Sequence, residues 1–76
     1  MRKKIIKTNN KEVYHKMSML KFFPEVVINS GNGKDRYISK IVKSLNADGN
    51  VIDIERVGNY IVLKKRGVLN FEIYHR

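Results

Sequence analysis

A basic loop between two predicted elements offers the clearest chemistry in this chain. Gly31 and Gly33 follow the apolar run 26–28, and glycine permits the positive φ angles of a tight turn. The residues after the glycines have the apolar spacing of a helix, whose first turn leaves backbone N–H groups without partners. Lys34 and Arg36 add two cations there. We expect an anion site in this loop, although glycines before a helix are also typical of a plain turn.

The net charge points to a polyanion as partner. Sixteen Lys and Arg against seven Asp and Glu give a formal charge of +9 on 76 residues. Such a charge attracts polyanions, and nucleic acid is the first candidate. Lysines that only keep a protein soluble would be mixed evenly with acids, whereas these cations cluster while the acids are spread singly. The three clusters are Arg2, Lys3, Lys4 and Lys7, then Lys34, Arg36, Lys40 and Lys43, then Lys64, Lys65 and Arg66.

The chain offers little for other kinds of chemistry. It has no cysteine, so neither disulfides nor thiolate metal sites are available, and His15 and His75 form no ligand pattern. Asp53 and Glu55 alternate along a predicted strand, which places both on its outward face rather than in an acid and base pair. We predict no metal, no cofactor and no enzymatic activity. No signal peptide or membrane span is recognisable, so we expect a cytoplasmic protein.

The first half of the chain predicts a strand, a helix and a second strand. Residues 3–8 have the composition of a short strand. Asn9 can cap the helix that follows, with Glu12 at the third helical position, and Pro24 ends that helix. Residues 25–29 are apolar on both faces at their centre, which predicts a central strand covered by helices. The predicted buried stripe of the first helix consists of Val13, Met17, Leu20 and Phe23.

The second half predicts another helix followed by strands. Asp35 is a plausible N-cap for this helix, while Lys40 and Lys43 face away from its apolar stripe. From residue 51 onward the apolar residues have a period of two, which predicts half-buried antiparallel strands. The apolar stripe of the second helix consists of Ile38, Ile41, Val42 and Leu45.

Two positions can turn the chain in its last third, and they predict different folds. A two-residue turn at Gly58-Asn59 would make a three-stranded meander. Alternatively, Gly58 forms a bulge within one long strand that turns only at residues 64–67, which would carry positive charge at a hairpin tip. In both cases the order begins βαβα and ends in strands, which is an α+β domain.

Four short motifs stand out along the predicted elements. They are Val26-Val27-Ile28, the glycine loop with Ile38-Ser39-Lys40, Arg56-Val57-Gly58-Asn59, and Asn70-Phe71-Glu72-Ile73. Together with the order of elements, these motifs resemble the Alba superfamily, the small basic chromatin- and RNA-binding proteins of archaea. Lys7 and Lys11 occupy the place of the family's lysine pair before the first helix. The resemblance implies a single Alba-like domain over residues 1–76, a βαβαββ two-layer sandwich with a basic β-hairpin at its C-terminal end.

The resemblance also implies a function. We expect binding of double-stranded DNA or RNA through phosphate contacts, with little sequence preference, by a nucleoid-associated protein. So small a core is marginal, and the resemblance implies a homodimer that pairs through the second helix and the strands beside it. The predicted nucleic-acid-binding residues are Lys7, Lys11, Gly31, Gly33, Lys34, Arg36, Lys40, Lys64, Lys65 and Arg66.

Two other interpretations stay open at this point. The positive surface could bind an acidic protein, as a small basic inhibitor would. The glycines also suggest the Gly-x-x-Gly loop of a KH domain, but Gly31 and Gly33 are separated by one residue rather than two, and no third helix follows. The KH interpretation therefore ranks below the Alba-like one.

Overall fold

Helices and strands follow one another in the order βαβαβββ in the computed structural model, which describes residues 4–31 and 33–76. This is a small α+β domain, as predicted, with one more strand than the βαβαββ order that the Alba-like resemblance implies. Arg2 and Lys3 of the first basic cluster lie outside the described residues. The elements are β1 (Lys4–Thr8), α1 (Lys11–Leu20), β2 (Glu25–Asn29), α2 (Lys34–Ala47), β3 (Ile52–Val57), β4 (Tyr60–Lys65) and β5 (Phe71–His75).

The strands form two sheets. In one sheet β4 lies between β2 and β3 and runs antiparallel to both, so that Leu63 is opposite Val26 on one side and Ile54 on the other. In the other sheet β1 pairs with β5 in parallel, with Ile6 opposite Ile73. The prediction of antiparallel strands is therefore correct for β3 and β4 and wrong for β5.

The turn between β3 and β4 decides between the two predicted hairpins. Val57 is the partner of Tyr60, so Gly58 and Asn59 form a two-residue turn, and Gly58 has a φ of +59°. The long hairpin with a basic tip is wrong. The meander is correct for two strands only, because the chain leaves β4 after Lys65 and crosses to the other sheet.

The core lies between the helices and one face of each sheet. All four residues of the predicted α2 stripe are buried, as are Val13, Met17 and Leu20 of α1. Phe23 is 53% exposed, because α1 ends at Leu20 and the chain has turned before it reaches Pro24. In β2 only alternate side chains are buried, and Val27 is 41% exposed. The expectation that helices cover both faces of this strand is therefore wrong, and so is its central position, because β2 is an edge strand of its sheet.

The helix caps differ from the predicted ones. Asn10, not Asn9, caps α1, and its Oδ1 accepts a hydrogen bond of 3.1 Å from the N–H of Val13. Gly33, not Asp35, precedes α2, and it adopts the left-handed conformation with a φ of +75°. Asp35 lies in the first turn of α2 instead, where a carboxylate is favourable next to the helix dipole.

Candidate nucleic-acid interface

The glycine loop is held in place by hydrogen bonds to the residues around it. Oδ1 of Asn29 accepts from the N–H of Gly31 at 3.0 Å. The N–H and the hydroxyl of Ser30 both donate to the carbonyl of Asn59, at 2.9 and 3.0 Å. The loop therefore lies beside the β3–β4 turn. At Gly33 a side chain would meet no other atom, but the positive φ favours glycine.

A shallow cavity joins this loop to the connection between β1 and α1. The cavity has a volume of about 190 Å³, and its lining includes Asn9 and Asn10 from one connection and Gly33, Lys34 and Tyr37 from the other. The two helices therefore begin at the same end of the molecule. The N–H of Lys34 donates to the carbonyl of Gly31 at 3.3 Å, and no side chain of the described residues caps α2, so the N–H groups that follow in its first turn are available to an acceptor.

Two side chains beside this cavity are already engaged. Nζ of Lys34 forms an ion pair with the carboxylate of Glu12 in α1. The hydroxyl of Tyr37 donates to Oγ1 of Thr8 at 2.6 Å, and the ring packs against the core. The charge of Lys34 is thus partly neutralised by Glu12, and Tyr37 packs against the core.

A stripe of cations runs along the exposed face of α2. Arg36, Lys40 and Lys43 are spaced by four and three residues, so they share one face over a rise of about 10 Å. All three are exposed, they line a shallow groove of about 290 Å³ together with Asp35 and Ser39, and none has a carboxylate partner among residues 4–31 and 33–76. The predicted site contained the first two cations and omitted Lys43, although the helical spacing indicates it.

Asp35 does not neutralise this stripe, although it lines the same groove. Its carboxylate binds the guanidinium of Arg56, which projects from β3. The pair therefore joins the first turn of α2 to the edge of the three-stranded sheet.

The third basic cluster is placed differently from the prediction. Lys64 and Lys65 are the last residues of β4 and Arg66 follows them, so the triplet is not at a hairpin tip. Lys64 lies between two acidic residues of the neighbouring strands in the sheet register. The partners of the three cations are the carboxylate of Glu25 at 4.0 Å, the carbonyl of Lys21 at 2.8 Å and the carboxylate of Asp53 at 2.8 Å, respectively.

Lys7 and Lys11 flank the β1–α1 connection. Lys7 is exposed on β1, and Lys11 is the exposed first residue of α1. Neither forms an ion pair within the described segments of the chain. These two predicted residues therefore stand at the end of the molecule that carries the glycine loop.

The ion pairs between cations and acids are distributed unevenly between two ends of the molecule. We define the loop end as residues 9–10, 31, 33–34 and 58–59, and the turn end as residues 21–24, 49–51 and 66–68. Towards the turn end, four cations pair with four of the seven acids. These pairs are Lys4 with Asp48, Lys21 with Glu72, Lys64 with Glu25 and Arg66 with Asp53. Among the residues that the structure describes, most of the cations without an acid partner consequently lie along α2 and towards the loop end.

Comparisons of the chain with protein-family models, with curated proteins and with solved structures gave no match. Within residues 4–31 and 33–76, no helix has the length and apolar character needed to cross a membrane. The same residues contain no group of three His, Asp or Glu side chains placed to hold a metal ion. A functional assignment for this chain therefore depends on the geometry and charges of its own residues.

Proposed function

We propose that this chain binds nucleic acid with little sequence preference through a basic face. We define the basic face as Arg36, Lys40 and Lys43 of α2 together with Lys7, Lys11 and the glycine loop. Phosphates would lie along the α2 groove, and the loop end would hold the continuing backbone. We propose no catalytic step and no cofactor for this activity.

The observation that carries the proposal is the absence of carboxylate partners on the α2 stripe within the described residues. A cation next to a carboxylate presents little net field, and an approaching phosphate is repelled by the acid even if it displaces the ion pair. The α2 cations have no such neighbour apart from Asp35, which is itself paired with Arg56. The Lys64–Arg66 triplet has acids beside it on two strands.

The stripe has dimensions that suit a phosphate backbone. Its rise of about 10 Å equals the rise of about three base pairs along the axis of a duplex. The hydroxyl of Ser39 lines the same groove and can donate a hydrogen bond to a phosphate oxygen. The described side chains that line this groove include no Asn or Gln to read base edges, so affinity would come mainly from counterion release.

The resemblance to the Alba superfamily supports the same proposal. Its most specific part is the glycine loop with Ile38-Ser39-Lys40, and these residues belong to the loop and helix that form the basic face. Membership of that family is a proposal as well, and so is a location with the nucleoid. The additional strand and the parallel pairing of β5 with β1 are departures from the predicted βαβαββ fold.

Titration of nucleic acid with the purified chain at several salt concentrations tests the proposal. The chain should bind duplex DNA and duplex RNA of unrelated sequences with similar affinity. A plot of the logarithm of the association constant against the logarithm of the salt concentration should have a slope of about −3 to −5. Single strands of the same length serve as a comparison. If the chain binds heparin but no duplex at about 50 mM salt, the proposal fails and an acidic protein becomes the expected partner.

A further inference from the structure

The turn end exposes several large apolar side chains. Phe22 is 80% exposed and Phe23 is 53% exposed, and both lie in the connection between α1 and β2. Val51, just before β3, is 47% exposed, and Val68, between β4 and β5, is 94% exposed. Single exposed apolar residues are common, but four from neighbouring connections, two of them phenylalanines, make this end a candidate interaction surface.

Hydrogen bonds hold these connections together. The N–H of Lys65 donates to the carbonyl of Pro24 at 3.1 Å, and the N–H of Arg66 donates to the carbonyl of Val51 at 2.9 Å. The Nζ of Lys65 also donates to the carbonyl of Lys21 at 2.8 Å. The four apolar side chains therefore project from segments that are fixed relative to one another. We call Phe22, Phe23, Val51 and Val68 the apolar patch.

Within the described ranges 4–31 and 33–76, the charges around the apolar patch are nearly balanced. Five cations (Lys4, Lys21, Lys64, Lys65 and Arg66) face four acids (Glu25, Asp48, Asp53 and Glu72), which leaves a charge of +1 from these residues. A polyanion or an anionic lipid surface would be repelled by the four acids here. A second copy of the chain, repelled elsewhere by the free cations, meets the least repulsion at this end.

We propose that the apolar patch is a self-association surface, through which two copies of this chain pair about a two-fold axis. The accessible surface of the four side chains is about 400 Å² per copy, so pairing would bury about 800 Å² in an isologous dimer. Atoms beside the apolar patch would bring the buried area towards about 1,000 Å², the lower limit of specific interfaces, which fits a weak dimer. The proposal does not depend on nucleic-acid binding.

This surface differs from the one that the Alba-like resemblance implies. Pairing through the exposed face of α2 would bring Arg36, Lys40 and Lys43 of one copy close to those of the other. Like charges at that contact would oppose association. Pairing through the apolar patch keeps the two basic faces apart and leaves both accessible.

Sedimentation equilibrium without nucleic acid tests the proposal, at concentrations from about 10 μM to about 1 mM. We expect the mean mass to rise from the monomer value of 8.9 kDa towards twice that value, with a dissociation constant of about 100 μM. The double variant Phe22→Ser, Phe23→Ser should stay monomeric over the whole range with an unchanged melting temperature, because both side chains are exposed.

A matched control distinguishes the apolar patch from exposed apolar surface in general. The double variant Val27→Ser, Val57→Ser removes side chains that are 41% and 51% exposed on strands of the three-stranded sheet, and it should associate like the parent chain. A parent chain that is monomeric at 1 mM would overturn the proposal. So would association that survives loss of both phenylalanines, or binding of the chain to anionic vesicles that the phenylalanine variant loses.

Discussion

Tyr37 and Thr8 join the first turn of α2 to the end of β1. The hydroxyl of Tyr37 donates to Oγ1 of Thr8 at 2.6 Å, and the same oxygen accepts from the N–H of Asn10 at 3.1 Å. Thr8 is only 2% exposed. One buried hydroxyl oxygen therefore positions both the start of α1 and the start of α2, and with them the loop end of the basic face.

Removal of the Thr8 hydroxyl oxygen should lower the free energy of unfolding more than removal of the Tyr37 hydroxyl does. Thr8→Val leaves two donors without an acceptor and should lower the free energy of unfolding by about 2–3 kcal/mol, whereas Tyr37→Phe should lower it by about 1 kcal/mol. Urea denaturation of the two variants measures the difference. Equal losses would show that the oxygen does not serve both helices.

The apolar stripe of α2 gives a second stability prediction. Leu45 is fully buried, so Leu45→Ala should lower the free energy of unfolding by about 2–5 kcal/mol. Lys43→Ala, two residues earlier on the exposed face, should change it by less than about 0.5 kcal/mol. Thermal or urea unfolding of both variants checks the register of the helix, and a reversed ranking would refute it.

Asn50 connects the end of α2 to the segment before β5. This residue is 5% exposed, its Nδ2 donates to the carbonyl of Leu45 at 3.1 Å, and its Oδ1 accepts from the N–H of Asn70 at 2.6 Å. Asn50→Ala should therefore cost about 1–3 kcal/mol of unfolding free energy. The exposed Asn9, changed to alanine, is the comparison, and a loss of similar size there would contradict the structural role of Asn50.

Glu12 should restrain nucleic-acid binding because its carboxylate holds Lys34. Glu12→Gln removes an acid beside the glycine loop and frees one cation for phosphate. Affinity for duplex DNA at about 0.1 M salt should rise about two- to fivefold. Glu55→Gln makes the same change of charge on exposed β3, where the described residues include no ion-pair partner for it, and should raise affinity less. An equal rise in both variants would assign the effect to net charge alone.

Local patterns were enough to predict the helices. The spacings of Val13, Met17 and Leu20 in α1 and of the four apolar residues of α2 indicated the buried faces, which the structure confirms. A local pattern, the apolar run at residues 26–28, also led to the correct bounds of β2. Cap residues were wrong by one or two positions, because several polar residues in succession could each serve and only the backbone geometry selects one.

Pairings between distant segments could not be predicted from local patterns. The period-two residues before Ile73 indicated a strand, but not that it would pair in parallel with β1. Likewise, the three adjacent cations ending at Arg66 suggested a phosphate-binding tip. Only the register of β4 between β2 and β3 shows that Glu25 and Asp53 lie beside Lys64. Charges close in the sequence predict a binding surface only when the acids brought near them by the fold are known.

Two triple variants of equal charge test the central claim most directly. Arg36→Ala, Lys40→Ala, Lys43→Ala removes the α2 stripe, and Lys64→Ala, Lys65→Ala, Arg66→Ala removes the third basic cluster, so each lowers the formal charge from +9 by three to +6. We expect the first to weaken duplex binding at least tenfold and to reduce the salt slope by about 2–3, while the second changes affinity less than about threefold. Melting curves would confirm that both variants fold. Equal losses, or a larger loss from the second variant, would contradict the account.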